Sequence, residues 1–340
     1  LSWTPAATGV VTLYAEVVLA GDQELANNVS DPVEVTIYQA NTKVLFVGDA
    51  ATNYGAAVFP FTVANGDVVA ETVYLASEMQ ATDGVIHQIA YYSYFAQDMT
   101  LSHNVQIWMK NTDATDLEAG WLPWDGYQLV YDGPVEFSGG THEIVIPLTT
   151  PFNYTGGNLA IRTSKTFDMS HTAYQNLWLI DYYGPYNNRT RYEVSDAGEL
   201  DHTNPTGTNV TYIYPNITFF MSTTNLVETL DAPVVTMTIA EPNALLEWEL
   251  IPYAWGYNVY LATDPYDFGP DPAGTIYGAS ARINNITEDA KLFVKATSVT
   301  YRDFNRSQAL LPNLEPREIK AVDMNMIVKP ERKTQSLTIE

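Results

Sequence analysis

At 340 residues the chain exceeds the roughly 250 that one hydrophobic core usually serves, so more than one domain is expected. Its apolar fraction of 46% and aromatic fraction of 12%, with 23 tyrosines, exclude a disordered chain and favour packed strands. Forty acidic against 16 basic residues give a formal charge of -24, which opposes nucleic acid and anionic membranes and leaves cations as natural small partners. There are no cysteines, so disulfides and thiol catalysis are both excluded. No apolar run approaches the roughly eighteen residues of a membrane helix, so membrane insertion is not expected. Leu1-Ser2-Trp3 carries neither a basic nor an apolar leader, so any secretion signal is expected to have been removed or to lie upstream.

Apolar and polar residues alternate in nearly every segment, the period of half-buried strands, while apolar residues at helical spacing are scarce. In residues 1–39 one such strand covers 10–19, with Val11, Leu13, Ala15 and Val17 on one face, and a second covers 33–38. Two strands bury no core by themselves. Trp3-x-Pro5, Gly9, Asp22-x-Glu24 and Asn27-Asn28 around these strands resemble the last two strands of the immunoglobulin-like bacterial cell-adhesion-related domain. The resemblance implies a partial Ig-like sandwich.

Residues 41–226 hold eight to ten strand patterns, a number that suits a jelly-roll sandwich. Val85, Ile89 and Tyr91 share a face, the odd positions of 105–109 point inward, and Ile144, Ile146 and Leu148 repeat the alternation. Turn clusters such as Asp132-Gly133-Pro134 and Ser138-Gly139-Gly140 separate the runs. Tyr74-Leu75-Ala76-Ser77-Glu78, Ile107-x-Met109-Lys110-Asn111-Thr112, Leu129-Val130-Tyr131-Asp132-Gly133 and Pro151-Phe152-Asn153-Tyr154-x-Gly156-Gly157-Asn158 follow in order. Together they resemble the jelly-roll module of large secreted proteins from Bacteroidetes-type and Cloacimonetes-type bacteria, akin to cleaved-adhesin domains. That family implies adhesins, surface proteins and ancillary regions of secreted proteases.

Residues 230–312 show Ala232-Pro233, Leu246-x-Trp248, Ala254-x-Gly256-Tyr257-x-Val259-Tyr260 and Phe293-Val294-x-Ala296, and they resemble a fibronectin type III domain. The resemblance makes Trp248 the core tryptophan and implies a spacer role. In the tail, 313–340, an apolar-rich stretch carries Ile319, Val322, Met324, Met326 and Val328, a strand without an obvious sheet. The expected fold class is therefore all-β, tandem β-sandwiches: partial Ig-like, jelly roll and fibronectin type III.

The residues that could carry chemistry are few. The five histidines, His87, His103, His142, His171 and His202, are far apart and lack zinc spacing. Nucleophile elbows, phosphate loops and dinucleotide fingerprints are missing, so no enzyme is expected. Asn111-x-Asp113-x-x-Asp116-x-Glu118 and Asp264-x-x-Asp267-x-x-x-Asp271 have acid spacing that serves either calcium or turn formation. Two aromatic loops, one with Trp121, Trp124 and Tyr127 and one with Tyr182, Tyr183 and Tyr186, either stack on sugars or plug the sandwich ends. N-glycosylation sequons stand at Asn28, Asn153, Asn188, Asn209, Asn216, Asn285 and Asn305.

The expected function is a non-catalytic extracellular structural or adhesive surface protein. Its partners are copies of itself, other surface proteins or glycans, and calcium is the one cofactor entertained. If 319–328 enters the incomplete sandwich of the next copy, head-to-tail strand addition makes a filament. The alternative is a glycan-binding ancillary region of a secreted hydrolase or protease.

Overall fold

The computed structural model describes residues 9–16, 28–39, 41–48, 54–168, 176–181, 188–240, 243–284, 292–300 and 335–338. Strands β1 (Gly9–Leu13) and β2 (Val33–Ile37) form an antiparallel ribbon. Val11 lies opposite Val35 and Leu13 opposite Val33, so the period-two pattern collects the aliphatic residues on one face. That face is covered only in part: Val11, Val35 and Ile37 are half-buried, while Leu13 is 39% and Val33 59% exposed.

The central sandwich starts with β3 (Thr42–Val47), β4 (Tyr54–Gly55), β5 (Asp67–Tyr74), the short helix α1 (Ala76–Met79), β6 (Gly84–Thr112) and β7 (Gln128–Tyr154). It continues with β8 (Asn158–Lys165), β9 (Asn176–Asp181), β10 (Thr190–Ser195), β11 (Asn209–Thr211), β12 (Tyr214–Pro215) and β13 (Ile217–Ser222). At 29 and 27 residues, β6 and β7 are several times longer than ordinary strands. They pair along their whole length but break register between Phe95 and Thr100, so one hairpin bends from one layer into the other.

The bend depends on glycine. A Cβ on Gly139 would meet the Gln97 carbonyl oxygen at 2.3 Å, and Gly140 sits at φ +91. Before the bend β6 pairs with β13, which pairs with β3; after it β6 pairs with β8, and the order runs on through β5 and β10 to β11.

The core lies between the layers and takes Ile89, Tyr91 and Ile146 from one side and Ala70, Tyr74, Ile107, Met109 and Ile161 from the other. Val105, Ile107 and Met109 point inward, as the alternation implies, and so do Ile144, Ile146 and Leu148. Val85, expected to share the inward face of Ile89 and Tyr91, does not. A register shift between Ile86 and Gln88 rotates the strand, so Ile86 enters the core in place of Val85.

Two further sheets form a distal sandwich. One contains β14 (Thr236–Ala240), β15 (Asn243–Glu247) and β18 (Ser280–Asn284); the other contains β16 (Gly256–Ala262), β17 (Gly274–Ile276) and β19 (Phe293–Val299). Leu246, Trp248, Ala281 and Ile283 from the first pack on Tyr257, Val259 and Ile276 from the second, with Trp248 edge-on to Tyr257 at 5.2 Å. The tail strand expected around Ile319, Val322, Met324, Met326 and Val328 falls outside the described residues. A later segment, β20 (Gln335–Thr338), runs parallel to β18 at the edge of its sheet. Among the described residues no helix is long and apolar enough to cross a membrane.

Candidate functional site: an aromatic cover over a buried ion pair

The sheet containing β5, β8 and β10 has a second face, turned away from the core. Ala70 and Tyr74 of β5 point into the core, so the alternation turns Glu71 and Val73 outward. Cross-strand pairing sets Glu71 directly opposite Arg162 of β8. Both side chains are fully buried, because the segment between β6 and β7 folds down over them as a third layer. Arg162 Nη2 and Nε donate to Glu71 Oε1 at 2.7 and 3.1 Å, and Nη1 and Nη2 also donate to the carbonyls of His202 and Leu122, each at 2.9 Å. The Leu122 N–H donates to Glu71 Oε2 at 2.9 Å, and the Tyr127 hydroxyl donates to Oε1. A buried charge pair is tolerable only when its remaining donors and acceptors are met in this way.

Three rings surround the guanidinium. The centroids of Trp121, Trp124 and Tyr127 lie 5.5, 5.4 and 4.7 Å from Arg162 Cζ, within cation–π range. Trp124 stacks on Tyr127 at 5.4 Å and meets Trp108 edge-on, while Trp108 stacks on His202 at 4.4 Å. The Trp121 indole N–H donates to the Gly207 carbonyl at 2.8 Å. Burial, and then the Glu71 charge, raise the Tyr127 phenol well above its usual pKa, which keeps it a neutral donor.

The covering segment is itself pinned. Asn158 Nδ2 donates to the Ala114 carbonyl, and Arg191 donates to the carbonyls of Leu117, Glu118 and Gly207. Leu117 fills a small apolar cluster with Val73, Leu75 and Ala160, against which Leu122 and Tyr127 pack.

A second buried pair lies beside α1. Arg189 donates to Glu78 at 3.1 and 2.7 Å and to the Val73 carbonyl at 2.7 Å. The Tyr214 hydroxyl stands 3.1 Å from Glu78 Oε1 and 2.8 Å from Asp181 Oδ2, and its ring lies 4.3 Å from the Arg189 guanidinium carbon. Burial opposes the Arg189 charge, but the facing Glu78 carboxylate outweighs it and raises the pKa.

Of the six aromatic residues expected at a sugar site, Trp121, Trp124 and Tyr127 meet on one half-exposed patch, with ring faces given to Arg162 and to one another. Tyr182, Tyr183 and Tyr186 lie outside the described residues. The acid-spaced segments form turns. Asp116 Oδ1 accepts the Glu118 N–H at 3.0 Å, Asp264 Oδ1 accepts the Tyr266 N–H at 2.9 Å, and Asp113, Asp267 and Asp271 are exposed. Among the described residues no three histidine or acidic side chains converge on a metal position.

Asn153 and Asn209 are exposed and Asn28 is half-buried. Asn188 and Asn216 are buried, at 5% and 0% exposure, unlike the open loop positions on which sugars are carried. Asn285 and Asn305 lie outside the described residues, as does His171. His87 and His142 bond Ser222 Oγ and the Gly139 carbonyl at 2.9 and 2.6 Å.

Sequence reasoning missed both ion pairs. For the first the available signal was a single charge inside an apolar strand, Glu71 in Val68-Val69-Ala70-Glu71-Thr72-Val73 and Arg162 in Leu159-Ala160-Ile161-Arg162.

These features define an all-β protein built of packed sheets. No protein-family profile matches the chain, and no curated protein matches it. Among solved structures, a beta-1,2-glucanase from Parabacteroides distasonis aligns over 78% of this chain and 37% of its own, with 14% identity and a TM-score of 0.21. A beta-glucuronidase from Ruminococcus gnavus aligns over 87% and 40%, with 8% identity and a TM-score of 0.18. A beta-glucuronidase from an uncultured Clostridium aligns over 88% and 45%, with 8% identity and a TM-score of 0.15. The chain thus spans less than half the length of these enzymes, and at such scores the likeness carries neither fold nor activity across.

Proposed function

We propose that this chain is a non-catalytic structural and adhesive segment of an extracellular surface protein, joined to copies of itself or to other surface proteins by strand addition at its N-terminal ribbon. The observation that carries this reading is the open end of the aliphatic face of β1 and β2, where the paired Leu13 and Val33 are 39% and 59% exposed. A two-stranded ribbon is marginal alone, and a strand added at an open edge pairs its free backbone groups and sets further apolar side chains beside Leu13 and Val33. The internal use of the charged and aromatic groups around Glu71 and Glu78 supports the non-catalytic part of the reading.

Sedimentation at rising concentration tests it, with Val33→Asp and a chain lacking residues 313–340 as comparisons. The expected result is association that Val33→Asp abolishes and that the shortened chain loses where the tail is the donor. Equal monomeric behaviour of all three overturns strand addition.

A second reading, a glycan-binding ancillary region, draws on Trp121, Trp124 and Tyr127 meeting at one half-exposed patch. A glycan array that stays silent removes it.

A further inference from the structure

The chain that leaves β13 is stitched to the central sandwich before the distal one begins. Asn225 Nδ2 donates to both carboxylate oxygens of Asp83, at 3.0 and 2.8 Å. The Thr82 N–H donates to the Asn225 carbonyl at 3.1 Å, and the Val227 N–H to the Gln80 carbonyl at 2.9 Å. Leu226 forms an antiparallel bridge with Ala81 and packs on the central core. Residues 223–227 therefore behave as a short extra strand along 80–83, where a free linker would leave its backbone to water.

Aromatic residues then reach back from the distal sandwich. Trp255, immediately before β16, is 6% exposed and belongs to the central core cluster, while its neighbour Tyr257 belongs to the distal one. Tyr277 meets Trp255 edge-on at 6.1 Å and also packs on the central core. Burial, and then the charge of Asp181, raise the Tyr277 pKa, so the β9 carboxylate beneath Tyr214 lies within electrostatic reach of the joint. Tyr253 sits at φ +63, a conformation uncommon for an aromatic residue, and its hydroxyl lies 3.4 Å from the place a Cβ on Gly156 would occupy.

We infer that the central and distal sandwiches are one cooperative folding unit, locked by a socket in the central sandwich that takes Trp255 as its anchor and Tyr277 as its rim. Separate modules on a tether would each bury their own aromatic residues. Here the distal sandwich gives a tryptophan to its neighbour's core and keeps a small core of its own around Leu246, Trp248 and Val259. A buried tryptophan contributes roughly 150–250 Å² of contact, a large share for a joint of this size. The proposal holds whether or not the ribbon adds strands.

Calorimetry and small-angle scattering on the full chain test it, with Trp255→Ala and the milder Tyr277→Ala. The expected result is a single thermal transition and a narrow distance distribution for the parent chain. Trp255→Ala splits the transition, with the distal component falling by roughly 10 °C or more, and broadens the distribution. Tyr277→Ala moves both readouts the same way by less, and it serves where Trp255→Ala does not fold. Two well-separated transitions in the parent chain, or variants with unchanged transition and scattering, overturn the proposal.

Discussion

The ribbon meets the central sandwich with Tyr38 stacked on Phe220 at 5.2 Å and leaves its aliphatic face open at the end that holds Leu13 and Val33. The distal sandwich meets it with a stitched linker, a buried tryptophan and a tyrosine edge-on to that tryptophan. Both neighbours are short of core. One makes up the shortfall inside the chain, which yields a stiff joint; the other keeps an unsatisfied surface, which suits it to contacts outside the chain. Apolar area left over at an end of a β-sandwich thus predicts where partners go, and area already consumed predicts where the chain is rigid.

The largest expected effects come from the two ion pairs. Glu71→Ala and Glu78→Ala each leave a buried arginine without its counter-ion, and each is expected to cost about 3–5 kcal/mol by urea unfolding. They differ in reach. Glu78 leads through Tyr214 to Asp181 and so to Tyr277, so Glu78→Ala also loosens the joint, whereas Glu71→Ala leaves scattering unchanged. Equal scattering for both would break the link between the second ion pair and the joint.

Alkaline pH comes next. Burial raises Tyr54 to about 12 and lifts Tyr74 and Tyr127 well above the ordinary 10.0. The unfolded chain releases these protons first, so stability is intact below pH 10, falls as pH rises above it and is lost through the raised values. Circular dichroism across that window should show unfolding that starts near pH 10.

Acid has a smaller effect. Burial is the first cause that lowers His87, His103 and His202 below 6.5, so the unfolded chain takes up protons first and stability declines as pH falls from 6.5 through the lowered values. The smallest effect is at the ribbon: Val33→Ser should change monomer stability by no more than about 0.5 kcal/mol, since an exposed side chain has little burial to lose.

Much of the strand pattern was legible because alternation alone decides which side chains face inward, as at Val105, Ile107 and Met109. The exception at Val85 and Ile86 arises from a break in pairing at His87, where β6 carries one extra residue against β13 and β7 carries three extra against β6, a property of the pairing that the local pattern does not carry. Trp121, Trp124 and Tyr127 stood out as a set, but their role depends on Arg162, about 40 residues further on, and on Glu71, which only cross-strand register brings opposite it. Asn188 and Asn216 satisfy the sequon pattern and are buried, because three residues of local sequence say nothing about long-range packing.

The aromatic cover serves the fold, and Trp124→Ala tests this when stability and glycan binding are measured on the same material. Loss of the ring over Arg162 should lower the melting temperature by roughly 4–8 °C and leave a silent glycan array silent. An unchanged melting temperature together with glycan binding that the substitution abolishes would contradict it.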